Sequence, residues 1–455
     1  MYVDSLTIEN IRCFENQTIT LAPGIAHQTK RTPLLREPTG EWVTLLGPNG
    51  CGKSTALQSL ALLLAGPEGA LNLPFRPIGW LRDESKPGKI GIRVHRSAND
   101  PGVFGSEKVR ASFAYSYSLV GSKQLSVNNK LYTEPGIVAN SSKTLSWLRQ
   151  NALSSTGKGW FAVGYGAFRR LTRKSQIIVP SLDPQARFTN FITQFSEDEP
   201  LSAFERWMVY LDYRIAKGNE GDNEAQRQRD LGITAINALL PDGTRFDSVT
   251  AEGRILFDVG GSKVPTIGLS DGYRSVLALS GDLVWRLIQS FPETTDPLHE
   301  EGIVLIDELD IHLHPIWQRN IAQLLQEQFP NLQFIVATHS PLIASGAGEN
   351  ALTLKFSMDG DKAVVVKVPD ISALSVDYVL RSPAFGLISP YSPQTQDKID
   401  QYDHLLAKKG SLNPKEKKEF EQLELFLQEK HPFGGPPAPG SLEAKIDAFL
   451  GEKLQ

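Results

Sequence analysis

At 455 residues, 40% of them hydrophobic and 22% charged, the chain has enough material for two or three domains and an ample core. A net charge of −4 excludes a globally basic nucleic-acid coat, and two cysteines, Cys13 and Cys51, exclude a disulfide framework and a cysteine-built zinc site. No apolar run approaches the roughly 20 residues of a membrane span, and no basic-then-apolar leader opens the chain, so a cytoplasmic protein with no membrane partner is expected.

Leu6 with Ile8, then Ile19 with Leu21, alternate with polar residues as half-buried strands do, on either side of Asn10-Ile11-Arg12-Cys13-Phe14. His27 to Gly40 is rich in Pro, Thr and charge, and is expected as a loop or short hairpin. Trp42 to Leu46 predicts a buried strand. Lys53 to Ala65 predicts a helix with Leu57, Leu60, Ala61 and Leu64 on its core face. Between them, Gly47-Pro48-Asn49-Gly50-Cys51-Gly52-Lys53-Ser54-Thr55 fits G-x-x-x-x-G-K-[ST] at every fixed position. The glycines let backbone amides wrap phosphates, the helix N-terminus favours their charge, and Lys53 reaches the terminal ones. Ser54 or Thr55 offers a hydroxyl to Mg2+, and alignment to the motif selects Ser54. ATP with Mg2+ is the expected ligand.

Residues 85–250 read as an insertion, with short strands (Ile90 to Val94, Val109 to Tyr117) and later helices (Ala203 to Ala216, Glu224 to Leu240). No heptad repeat is sustained there, which excludes a long coiled coil. Phe161-Ala162-Val163 leads into Gly164-Tyr165-Gly166-Ala167-Phe168, followed by the basic run Arg169, Arg170, Arg173 and Lys174. That run reads equally as a solvated loop or as a contact for DNA. Gly268-Leu269-Ser270-Asp271-Gly272-Tyr273-Arg274-Ser275 opens a helix with Ser270 or Asp271 as N-cap. Gly302 to Ile306 predicts a central parallel strand delivering Asp307 and Glu308 at its C-terminal edge. Leu309-Asp310-Ile311-His312-Leu313-His314 follows, and Pro315 starts the next helix. Phe334 to Thr338 is a further buried strand ending at His339-Ser340-Pro341. Leu352 to Phe356 and Val364 to Val368 form a hairpin around Gly360. The tail predicts helices around Ile399, Tyr402, Leu405 and Leu406 and around Phe420, Leu423 and Leu427. A linker from Pro432 to Gly440 and a short helix from Ser441 to Leu450 follow. The domain reading is 1–84, an N-terminal lobe; 85–250, the insertion; 251–370, a C-terminal lobe; and 371–455, a helical tail suited to docking a partner.

In this order, the phosphate loop, the Leu269-Ser270-Asp271-Gly272 signature, the Asp307-Glu308 pair, Asp310 and His339 resemble the ATP-binding-cassette ATPases of the SMC and RecF type. The closest resemblance is to the compact bacterial "AAA domain" ATPases, among which are components of the Septu and PARIS anti-phage systems. The resemblance implies an α/β ABC-ATPase head: a P-loop NTPase with a mixed sheet, helices on both faces, and an inserted α/β region. It also implies an ATPase. Carried over, Lys53 binds the β- and γ-phosphates, Ser54 and Asp307 hold Mg2+, Glu308 orients or deprotonates water, and His339 senses the γ-phosphate. Arg12 matches the arginine of an N-terminal Asn-Phe-Arg element in which Ile11 replaces Phe. Ser270, Asp271 and Gly272 act in trans on a partner's nucleotide, and Asp310 lies at the subunit contact. Asp271 and Tyr273 replace a usual Gly and Gln, and Tyr165-Gly166 stands where a magnesium-binding glutamine would be.

The resemblance implies a homodimer, or an oligomer of dimers, closing around ATP and controlling a separate effector nuclease or toxin in anti-phage defence. Asp359 and Asp361 read as a turn and too little chain follows for a Toprim nuclease, so the chain alone is expected not to cut nucleic acid. The alternative reading is a RecF-like repair ATPase that binds DNA through the basic run. A transporter subunit is disfavoured because no membrane-coupling glutamine loop is evident.

Overall fold

The computed structural model describes residues 1–22, 41–96, 112–127, 130–153, 160–169, 171, 186–196, 203–218, 223–241, 243–387, 389, 391–408 and 412–430. The first half runs β1 (Tyr2–Ile11), β2 (Phe14–Thr20), β3 (Trp42–Leu46), α1 (Lys53–Leu64), α2 (Gly66–Asn72), β4 (Gly88–His95), β5 (Ser112–Val127), β6 (Lys130–Ala139), α3 (Lys143–Asn151) and β7 (Phe161–Tyr165). After a 3-10 segment, Arg187–Gln194, come α4 (Ala203–Lys217), α5 (Asn223–Leu239), β8 (Thr244–Val249), β9 (Ile255–Val259), β10 (Ser262–Pro265) and α6 (Asp271–Ser290). The remainder is β11 (Gly302–Ile306), α7 (Pro315–Gln328), β12 (Leu332–Thr338), α8 (Pro341–Gly346), β13 (Leu352–Asp359), β14 (Lys362–Lys367), α9 (Val376–Arg381), α10 (Pro393–Ala407) and α11 (Pro414–Lys430). The chain divides into two compact units, Met1–Val379 and Leu380–Gln455.

In the first unit the central sheet has the order β14-β13-β3-β12-β11-β7, and every neighbour pair except β13–β14 is parallel. Its central strands are mostly apolar because both faces are covered. Val43, Leu45, Ile303, Leu305, Ile335 and Ala337 enter one core with α1. The alternate residues Trp42, Val304, Ile306, Phe334 and Val336 enter another, with Leu283 and Leu287 of α6 and Ile321 and Leu325 of α7. A five-stranded antiparallel sheet, β2-β1-β4-β5-β6, shares the first core. Helix α1 is therefore clamped between two sheets, and the single core face expected from Leu57, Leu60, Ala61 and Leu64 is too narrow: Ala56, Leu62 and Leu63 are buried as well. Each such leucine contributes roughly 1.5–3 kcal/mol of burial, which anchors the helix whose first turn carries Lys53 and Ser54.

The expected insertion at 85–250 divides differently. Strands β4 to β6 complete the five-stranded sheet, β7 is the edge of the central sheet beside β11, and among the described residues the 3-10 segment, α4, α5 and β8 follow it. A boundary at 250/251 also passes through the three-stranded sheet β10-β9-β8, whose short strands were not expected. The hairpin at Gly360 is present, with Asp359 paired to Lys362 and Gly360 at φ 60°. In the second unit α10 and α11 pair through Leu405, Phe420 and Leu423, with Tyr402 stacked on Phe420 at 4.9 Å. The loop expected at 27–40 and the linker and helix expected at 432–450 lie outside the described residues. Among the described residues there is no long coiled coil, and no helix is long and apolar enough to cross a membrane.

Candidate functional site

Strands β3, β11 and β12 lie side by side and end together, so parallel register brings their C-terminal loops to one edge of the sheet. The loop after β3 turns through Gly47, Gly50 and Gly52 at φ 151°, 80° and 99°, of which the last two require the freedom only glycine has. A Cβ on Gly52 would also lie 2.6 Å from the Phe14 ring. Gly52 is the N-cap of α1 and supplies no side-chain cap, so the first-turn amides point into the loop, where an anion satisfies them. Pro48, Asn49 and Gly50 are exposed, while Cys51 is buried with its thiol donating to the Pro48 carbonyl. Lys53 is 6% exposed, and its Nζ donates to the carbonyls of Gly47 (2.7 Å) and Pro48 (2.9 Å). Burial pulls its amine below the ordinary lysine value, and Cys51, Asp307, Glu308 and Asp310 pull it back up.

Burial pushes the Asp307 carboxyl above the ordinary range, against the pull of the nearby Ser54 hydroxyl, Lys53 and Arg169. Asp307 Oδ1 is buried with no hydrogen-bond partner among the described residues. A buried carboxylate oxygen without a partner, with the Ser54 hydroxyl nearby, fits Mg2+, an oxygen-seeking cation. The next residue, Glu308, is half-buried and has φ 47°, a left-handed conformation rare outside glycine. Asp310 Oδ1 accepts from Thr338 Oγ1 at 2.5 Å and from the His339 amide at 3.1 Å, tying the loop after β11 to the end of β12 within one chain. His339 Nε2 is buried and has no partner among the described residues. Ser340 donates its hydroxyl to Gln318 Oε1 at 2.7 Å, and Gln318 Nε2 donates to the Leu313 carbonyl at 2.9 Å, which fixes the same loop from α7. Arg12, at φ 47°, donates to Thr55 Oγ1 at 3.2 Å with its guanidinium 5.0 Å from the Trp80 ring centroid, so it stands beside the first turn of α1. Asp310 and His312 lie in the turn after β11, and His314 Nδ1 caps α7.

At the start of α6, Ser270 is the N-cap, its Oγ accepting from the Tyr273 amide at 3.4 Å. Ser270 and Asp271 are exposed, and Gly272 lies so close to the loop after β11 that a Cβ there would meet the His312 carbonyl oxygen at 2.7 Å. The Tyr273 and Trp317 rings, 5.0 Å apart, continue that contact. Two sequence readings need correction. Tyr165 does not face Ser54: its side chain lies in the core opposite α1, donating to Asp282 Oδ2 of α6 at 2.9 Å. Arg169 is not on a surface that DNA can reach. It is 4% exposed and donates to the carbonyls of Gly166, Asp307 and Glu308 at 2.8, 2.6 and 2.8 Å. Burial lowers its pKa to about 10, against the pull of Asp307, Asp310 and Glu308. Arg170, Arg173 and Lys174 lie outside the described residues. Spacing could not reveal a guanidinium that travels from one loop to the backbone of another; the only signal was its nearness to the end of a buried strand.

The family described as "AAA domain, putative AbiEii toxin, Type IV TA system" matches residues 43–345. The Septu protein PtuA of Bacillus mycoides (strain KBAB4) is 26% identical over 99% of this chain, and the chain spans 54% of that protein's length. The Retron Vc95 probable ATPase of Vibrio cholerae serotype O1 biovar El Tor is 25% identical, with 74% of each chain covered. The Retron Ec83 probable ATPase of Escherichia coli is 40% identical over 24% of this chain and 20% of its own. Among solved structures, an SMC head bound to the C-winged helix domain of ScpA is similar at 14% identity with a TM-score of 0.47, covering 82% of this chain and 100% of that one.

Proposed function

The chain belongs to the AAA-domain family that its residues 43–345 match, and from that premise we propose that it binds and hydrolyses ATP with Mg2+ as the switching subunit of an anti-phage defence complex. One observation carries the hydrolytic reading: Asp307, near Ser54 of the phosphate loop, keeps Oδ1 buried without a partner among the described residues, with Glu308 next in the chain. Likeness to the Septu protein along 99% of this chain, and to two retron ATPases, carries the defence reading.

Bound nucleotide and Mg2+ supply the phosphoryl group and the charge that screens its oxygens. Lys53 moves from its carbonyls to the terminal phosphates, and the α1 amides take the remaining oxygens. Ser54 and Asp307 would hold the metal, and Glu308 would orient a water in line and accept its proton. His339 Nε2 donates to the γ-phosphate edge, held in place by Asp310. Positioning and charge neutralisation are sufficient for such a loose transition state.

The exposed Ser270-Asp271-Gly272 end of α6 completes the site of a second copy. Ile267 and Ile316, 57% and 67% exposed, flank that end and offer the apolar contact such an association takes. Shifting a two-state equilibrium from mostly open to mostly closed takes about 5.5 kcal/mol, and one helix end supplies at most about 2. Two nucleotides gripped from both sides meet that requirement better than one. The closed dimer then governs a separate nuclease or toxin. Glu308→Gln tests the reading: ATP binding by calorimetry stays intact, phosphate release stops, and undiminished turnover refutes the assignment.

A further inference from the structure

We propose that Arg169 is a positioning residue for hydrolysis, its guanidinium fixing the backbone of Glu308 and through it the direction of the Glu308 carboxylate. The inference rests on the site reading above, in which Glu308 serves the attacking water.

The two carbonyls just past β11 that Arg169 holds are those of Asp307 and Glu308, at 2.6 and 2.8 Å. These stand on either side of the Glu308 Cα. Rotation about φ or ψ of Glu308 swings them relative to each other. A rigid planar fork engaged with both therefore locks that dihedral pair. The lock is needed, since Glu308 sits at φ 47°, where a residue with a Cβ persists only when its surroundings over-determine it. The third bond, to the Gly166 carbonyl at 2.8 Å, ties the fork to the end of β7. From there the Tyr165 carbonyl accepts from the Asp307 amide at 2.8 Å, extending the β7–β11 ladder by one residue. Gly166 packs closely on the 3-10 segment, where a Cβ would lie 2.0 Å from the Thr193 carbonyl oxygen. Arg169 thus refers the catalytic carboxylate to a fixed sheet edge. Lysine carries one ammonium in place of the planar fork and cannot lock both carbonyls in the same way.

The experiment uses the full chain with Mg2+ and ATP, comparing wild type with Arg169→Ala, Arg169→Lys, Glu308→Gln and the double variant Arg169→Ala/Glu308→Gln. Expected for both Arg169 variants is a fall in kcat of about 10- to 100-fold, as small misplacements of a reacting group cause, with ATP Kd within about threefold of wild type. In single-turnover phosphate release the double variant should match Glu308→Gln within about twofold, because Arg169 acts through the residue already removed. Full additivity of the two losses, or kcat within about twofold of wild type in both single variants, overturns the proposal. Loss of the folded circular-dichroism signal in both Arg169 variants overturns it equally, by making the residue a fold determinant. If Glu308→Gln hydrolyses normally, the site reading itself fails, a result distinct from an inert Arg169.

Discussion

Two halves of the proposed machinery are built in opposite ways. The phosphate-loop half is locked inward: Lys53 is 6% exposed, Asp307 Oδ1 is buried, Arg169 holds the Asp307-Glu308 backbone, and Asp310 holds His339. The signature half faces outward, with Ser270 and Asp271 exposed at a helix start flanked by exposed Ile267 and Ile316. The contrast teaches a division of labour. The groups that place charge and proton are pre-organised within one chain, where reorganisation would cost rate. The groups proposed to report a neighbour's nucleotide are left uncovered, where a second copy could engage them.

Breaking the inward half should have the largest effect. Glu308→Gln is expected to lower kcat by about 10²–10³-fold or more with calorimetric ATP affinity retained. Lys53→Ala should abolish measurable ATP binding, since the cation nearest the phosphates is gone. Breaking the outward half should be milder and of a different kind. Ser270→Arg should cost about 1 kcal/mol of helix capping, leave nucleotide affinity within a few-fold, and reduce turnover about tenfold by blocking the second copy. Turnover at the wild-type rate would remove the case for a trans contact. The smallest effect is thermodynamic and sharpens the idea that the site is held against its own stability. Burial raises the Asp307 carboxyl in the folded state, so the folded chain binds the proton more tightly than the unfolded chain does. Its contribution to stability is greatest below the ordinary aspartate pKa and falls as pH rises through the raised one. At pH 7, without added Mg2+, Asp307→Asn should therefore raise Tm slightly, by a degree or two per kcal/mol in a chain this long, while eliminating hydrolysis. A lowered Tm would mean that the ionised carboxylate stabilises the fold.

The inward half was the more legible of the two in the sequence. Strand, glycine loop and helix around Lys53, and the apolar run ending at Asp307-Glu308, are local patterns whose chemistry is fixed by neighbouring residues. The hairpin at Gly360 and the paired tail helices were readable for the same reason. What stayed hidden depends on contacts distant in sequence. The burial of α1 on all sides comes from a second sheet partly built from β4, β5 and β6. Arg169 read as part of a basic run, because its three carbonyl partners include two that lie 138 and 139 residues away. Glu308 at φ 47° gave no local sign either, since nothing in its neighbours demands a left-handed residue.

Mass measurement by light scattering on Glu308→Gln, with and without MgATP, is the most direct test of a site shared by two copies. The account predicts a monomer-sized species that doubles in mass on adding MgATP and reverts when nucleotide is removed, with Ser270→Arg in the same background remaining monomeric. A chain that keeps monomer mass at saturating MgATP, while the wild type hydrolyses ATP at full rate under the same conditions, would contradict it.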